Sequence, residues 1–142
     1  MPRVSRAFFT LAVLCGLTGM MLGMHMGATQ DFTMHAAHAH INLVGWASLA
    51  LMGTYYALDR RAAGRLAWIN FVFSVLGAIV LPTGIFLIAS GHEAAGGTTA
   101  MLGGMLALIG MLAFLLSVLG GWRRARPDLL RRCEGKEADS LP

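Results

Sequence analysis

The chain has 142 residues, of which 56% are hydrophobic and only 13% charged, and its mean hydropathy is +0.65. A water-soluble domain carries about a quarter charged residues, so the composition excludes an ordinary soluble enzyme and points to a membrane protein. The net charge of +4 does not mark a nucleic-acid partner, because all eleven Lys and Arg fall in three short places: Arg3 and Arg6, the turn holding Arg60, Arg61 and Arg65, and the tail from Arg123 onward. Cys15 lies deep in an apolar run and Cys133 in the polar tail, so no disulfide framework is expected, and neither CxxC nor CxxCH occurs.

Four runs are long enough to cross a bilayer, which takes roughly 20 apolar residues: about 7–27, 36–58, 66–90 and 98–122. They are continuous rather than alternating, which excludes membrane β-strands. The fold expected is all-α, an integral membrane four-helix bundle over 1–122, followed by a basic, partly disordered tail over 123–142.

The first run is longer than the 7–15 apolar residues of a signal peptide's core, and "AVLCG" lacks the small residue that a lipoprotein cleavage site needs before Cys15, so it reads as a retained helix. Gly16, Gly19, Gly23 and Gly27 form a small-residue stripe on it that lets a neighbour approach closely. Its far half is crowded with Met20, Met21, Met24 and Met26 around His25, and Met34 follows in the next connection. Thioether and imidazole together suit Cu(I).

The second run opens on "MHAAHAHINLVGW", which packs His35, His38 and His40 into six residues. Residues two apart on a helix point about 200° from each other, so His38 and His40 cannot grip one ion. Each must serve its own side. The face under His38 continues through Asn42 and Gly45; the face under His40 continues through Val44, Ala47 and Leu51, an apolar lining that suits a flat porphyrin hung from an imidazole. Against this stands the ordinary use of histidine as an interfacial side chain, apolar in its ring and polar at its tip. That bland reading leads for His92 and loses ground for three histidines in six residues.

In the third run Pro82, with Gly84 two residues on, predicts a kink, and in the fourth Gly103, Gly104 and Gly110 offer small packing positions. The basic residues alternate with two connections free of Lys and Arg, "ATQDFTMHA" and "GHEAAGG". By the positive-inside rule both termini are then cytoplasmic, in a bacterial-type inner membrane, with Tyr55, Tyr56, Trp68 and Trp122 at the inner interface and all five histidines on the outer, periplasmic side.

The stretch "HAHINLVGWASLALMGTYYALDR", from His38 to Arg60, resembles one helix of the catalytic subunit of heme-copper oxidases, especially the high-affinity cytochrome c-fed branch and its nitric oxide reductase relatives. There an H-x-H pair precedes a Gly-Trp and, further on, aromatics. The resemblance implies that His38 matches the ligand of a high-spin heme and His40 that of a low-spin heme, with Gly45 and Trp46 as packing signature. It also implies a homotrimer, since the oxidase ring repeats four-helix arcs with pseudo-threefold symmetry. The oxidase's copper-ligating histidines and cross-linked tyrosine have no counterpart here, so turnover of oxygen or nitric oxide by this chain alone is not implied.

The readings, in order, are a b-type heme protein for electron transfer or diatomic gas handling; a copper-binding or copper-delivery protein using His25, His35, Met24 and Met26; and an accessory scaffold without cofactor. Heme would be held by His38 and His40, with His25 and His35 as further candidates, bound non-covalently since CxxCH is absent. Expected partners are membrane lipid, further copies of the chain and a respiratory electron donor.

Overall fold

A computed structural model describes the backbone of residues 1–138 and the side chains of residues 1–121. Four helices are long and apolar enough to cross a membrane: α1 (Arg3–Thr29), α2 (His35–Leu58), α3 (Arg65–Ala89) and α4 (Glu93–Ala138). No strand occurs among the described residues. The protein is an all-α, multi-pass membrane fold. Connections are short. Gln30 closes α1 in the left-handed region (φ 55°), its Nε2 donating to the Gly27 carbonyl at 2.6 Å. Arg60–Ala62 form a single 3₁₀ turn after α2, opened by Asp59, whose Oδ1 accepts from the Arg61 N–H at 3.1 Å. Gly91 (φ 87°) makes the turn into α4, a conformation other residues rarely adopt. The backbone of α4 continues through Pro127 to Ala138; Trp122, Cys133 and the basic side chains of the tail lie outside the described side chains, as does the backbone of 139–142.

The helices pack in chain order, α1 on α2, α2 on α3, α3 on α4, and among the described residues α1 and α4 share no extended contact. Alternation places Arg3, Arg6, Arg60, Arg61 and Arg65 at one end and all five histidines at the other. Among the described residues the largest fully buried side chains sit toward the basic end: Tyr56, Phe8, Leu49, Val4, Asn70 and Ser5. Phe8 stacks on Tyr56 (centroids 5.7 Å apart) and meets Phe71 edge-on (5.0 Å), while Phe114 of α4 reaches Tyr55 (5.3 Å).

Tyr56 is fully buried rather than anchoring at an interface, because its hydroxyl is satisfied inside the protein. The Asn70 amide donates to it at 3.0 Å and it donates to Ser117 Oγ at 3.0 Å. Ser74 Oγ in turn donates to Asn70 Oδ1 at 2.8 Å, and Ser117 Oγ to the Ala113 carbonyl at 3.1 Å. The chain of donors ties α2, α3 and α4 together, and each link spares a polar group from hydrocarbon. Tyr55 joins from beside it, donating to the Ser117 carbonyl at 3.0 Å.

The tightest seam joins α3 and α4. A Cβ on Gly77 would lie 2.6 Å from the Ala107 nitrogen, and those on Gly84, Gly103 and Gly110 would overlap Ala100, Leu81 and Ser74. Gly96, Gly103 and Gly110 recur every seven residues, as do Gly77 and Gly84, so the antiparallel backbones meet along one line. Gly104, grouped with Gly103 and Gly110 on sequence grounds, faces open space, and so does Gly27 at the end of the α1 stripe. Pro82 is accommodated within the continuous α3, buried in the bundle.

Candidate cofactor site

The α1 stripe does not receive a bare backbone. It receives three polar or large side chains of α2. A Cβ on Gly23 would lie 2.8 Å from His38 Cε1, one on Gly19 would strike the Asn42 amide, and one on Gly16 would lie 3.0 Å from the Trp46 ring. His38, Asn42 and Trp46 thus descend α2 in steps of four, over Gly23, Gly19 and Gly16. A regular α-helix turns 100° per residue, so eight residues would carry Trp46 about 80° off the line of His38. The turn is corrected because Ile41–Ser48 is π-helical, with wider i→i+5 turns. Ser48 marks it, its Oγ donating to the carbonyl of Leu43 five residues back at 2.8 Å.

His38 points at α1, its Nδ1 bonded to the Gly19 carbonyl at 2.9 Å. The Asn42 amide nitrogen lies 3.4 Å from both of its ring nitrogens. A group equidistant from the two at that range cannot lie in the ring plane without striking ring carbons, so it sits over the ring face, while its firm bond is to the His38 carbonyl at 2.9 Å. His40, turned about 200° away, places Nδ1 on the Ala36 carbonyl at 2.8 Å. His35 does the same with the Phe32 carbonyl at 2.9 Å.

A carbonyl only accepts, so in all three rings Nδ1 carries the hydrogen. Each neutral ring then has its lone pair on Nε2. This is the arrangement by which a backbone carbonyl orients an imidazole and raises the basicity of its metal-binding nitrogen. Among the described residues nothing hydrogen-bonds His40 Nε2. His38 and His40 are half-buried, and His35 is exposed at the helix start.

The remaining candidates are scattered. His25 and Met24 lie on the exposed face of α1, whereas Met26 between the same turns is buried, so consecutive residues present no single donor set. His25 lies near enough to Asp31 to favour its ionised form. The main cause of that carboxyl's depression below the usual range is hydrogen bonding from the Thr33 hydroxyl and backbone N–H. His92 stands exposed in the α3–α4 turn. No group of three His, Cys, Asp or Glu side chains able to share a metal ion occurs among the described residues.

A cavity of about 370 Å³ lies between α1, α2 and α3 and is lined by none of the histidines. Neither it nor the π-helical segment was legible in residue types; the one local signal is Gly45 within a helix, which packs against Cys15, its would-be Cβ 2.8 Å from the cysteine Cβ. Comparison with protein-family models, curated proteins and solved structures gives no match. The oxidase resemblance therefore rests on the residues from His38 to Arg60 themselves.

Proposed function

We propose that the chain is a b-type heme-binding membrane protein serving electron transfer or diatomic gas handling. The observation that supports this best is the tethering of Nδ1 of His35, His38 and His40 to main-chain carbonyls, which leaves Nε2 of each ring as the coordinating atom. His40 is the leading axial ligand, since its Nε2 has no partner among the described residues and its face of α2 continues through apolar residues. His38 serves a second heme or an interface site, with the Asn42 amide over its ring. Bound heme would supply the redox centre. The chain's own contribution is to orient the imidazoles and to exclude water from the lipid-facing side.

The topology belonging to this reading is a bacterial-type inner membrane with both termini cytoplasmic and the histidine end periplasmic, supported by the gathering of arginines at the opposite end. A homotrimer fits the open row of helices: α1 and α4 do not close on each other, and an outward imidazole in lipid is costly unless a cofactor or neighbouring subunit satisfies it. A pyridine hemochrome assay on protein purified from heme-replete cells tests the proposal, with heme b expected in stoichiometric amount. Its absence, and above all stoichiometric copper in its place, would reject heme in favour of the copper reading.

A further inference from the structure

The cavity between α1 and α3 lies in the histidine-end half of the molecule. Ala37 and Ile41 of α2 form its floor, and Leu22, Thr18, Thr83 and Phe86 stand on its walls. It exists because α1 and α3 touch only sparingly and Ala37, on the floor, is small. The two hydroxyls on its walls are spent on their own helices: Thr18 Oγ1 donates to the Leu14 carbonyl at 2.9 Å and Thr83 Oγ1 to the Ile79 carbonyl at 2.7 Å. A water needs two to four polar partners to stay in a cavity, so water does not fill this one. Empty space of that size forfeits the dispersion contacts of its whole lining. At this depth the membrane supplies hydrocarbon.

We propose that the slot is a binding site for one acyl chain of a phospholipid from the leaflet at the histidine end, and that it selects a zwitterionic over an anionic headgroup. The selection follows from charge. A lipid seated there brings its headgroup to a surface bearing Asp31 and Glu93, whereas the arginines among the described residues all lie at the other end. Asp31 is held ionised by Thr33. An anionic headgroup would meet these carboxylates at an end that has no Arg or Lys among the described residues and only imidazoles, His25 beside Asp31, to offset them, while the ammonium of a zwitterionic one is attracted. The site is independent of heme, because no histidine lines it.

Native mass spectrometry of protein extracted from its membrane in mild detergent tests the proposal. The wild-type chain should retain one phospholipid, released and identified as zwitterionic. Thr83→Trp and Thr18→Trp, at exposed lining positions on opposite walls, should each abolish retention. Leu51→Trp, on an exposed face outside the slot, and His40→Ala should leave it intact, with circular dichroism confirming helicity throughout. Wild-type protein without lipid, retention undiminished in both Thr→Trp variants, an anionic phospholipid, or an isoprenoid chain in its place would each overturn the proposal.

Discussion

Gly103 and Gly104 are neighbours on α4, and the same substitution should have opposite consequences at the two. A Cβ on Gly104 meets nothing within 4 Å, whereas one on Gly103 would lie 2.5 Å from Leu81 Cα and 2.8 Å from its Cβ. Carbon atoms rest at about 3.5–4.0 Å, so Gly103→Ala forces α3 and α4 apart by about 1 Å at that level. Leu81 cannot yield by rotating, since the atoms struck are backbone and the base of its side chain. Overpacking of this kind costs about 1–3 kcal/mol, and Gly96, Gly110, Gly77 and Gly84 transmit the separation along the seam. The intrinsic gain of replacing a helical Gly by Ala, about 1 kcal/mol in water, is common to both variants and cancels in the comparison. Gly103→Ala should therefore be less stable than Gly104→Ala by about 1–3 kcal/mol, read from equilibrium unfolding in mixed detergent and SDS. Equal stability of the two would refute the closeness of the seam.

Tyr56→Phe removes the acceptor of Asn70 and the donor to Ser117, and should cost about 0.6–1.7 kcal/mol per lost interhelical bond in the same unfolding assay. His40→Ala should remove or shift the heme absorption spectrum and His38→Ala should alter it, while His92→Ala leaves it unchanged, as judged by oxidised and reduced spectra of the purified variants. Gly23→Ala, whose Cβ presses on His38 Cε1, should shift that spectrum without touching a histidine, whereas Gly27→Ala, open to space, should not. Thr33→Val should raise the Asp31 pKa toward its ordinary range, as followed by carboxyl NMR. A depressed carboxyl stabilises the fold above its unfolded pKa and loses that contribution as pH falls through the folded one, so the variant should blunt the acid-side dependence of the loop.

The helices were legible in the sequence because membrane spanning imposes a single, strong constraint: length and continuous apolarity. Their seams were legible only in part. The α1 stripe announces a close approach, but glycine records that something sits above it and not what, so the seating of His38, Asn42 and Trp46 could not be read. The seven-residue recurrence of Gly96, Gly103 and Gly110 was visible in principle, yet the adjacent Gly97 and Gly104 blur it, and only the packing separates the face that is used. Tyr56 was misplaced because an aromatic hydroxyl near a basic turn looks the same whether it meets water or Asn70. The opposed directions of His38 and His40 follow from helical periodicity alone. The carbonyls that fix their tautomers do not, since Gly19 belongs to another helix and Ala36 serves only if α2 begins before it.

The two ends of the bundle are built for different ends of the task. Toward the arginines, fully buried aromatic rings and a line of hydrogen bonds fix α2, α3 and α4. Toward the histidines, fully buried large side chains give way to exposed or half-buried imidazoles, small residues and an apolar slot between α1 and α3. The π-helical segment stands between the two regimes. It takes its inner register from the buried core through Leu49 and Met52, and hands it outward to Asn42 and His38 across the glycine stripe. The direction of His38 at the histidine end is thereby set by packing far below it, while the same end holds the apolar slot between α1 and α3. A site on a rigid helix is held more closely than one on a loop. Here the rigidity is borrowed from the opposite face of the membrane.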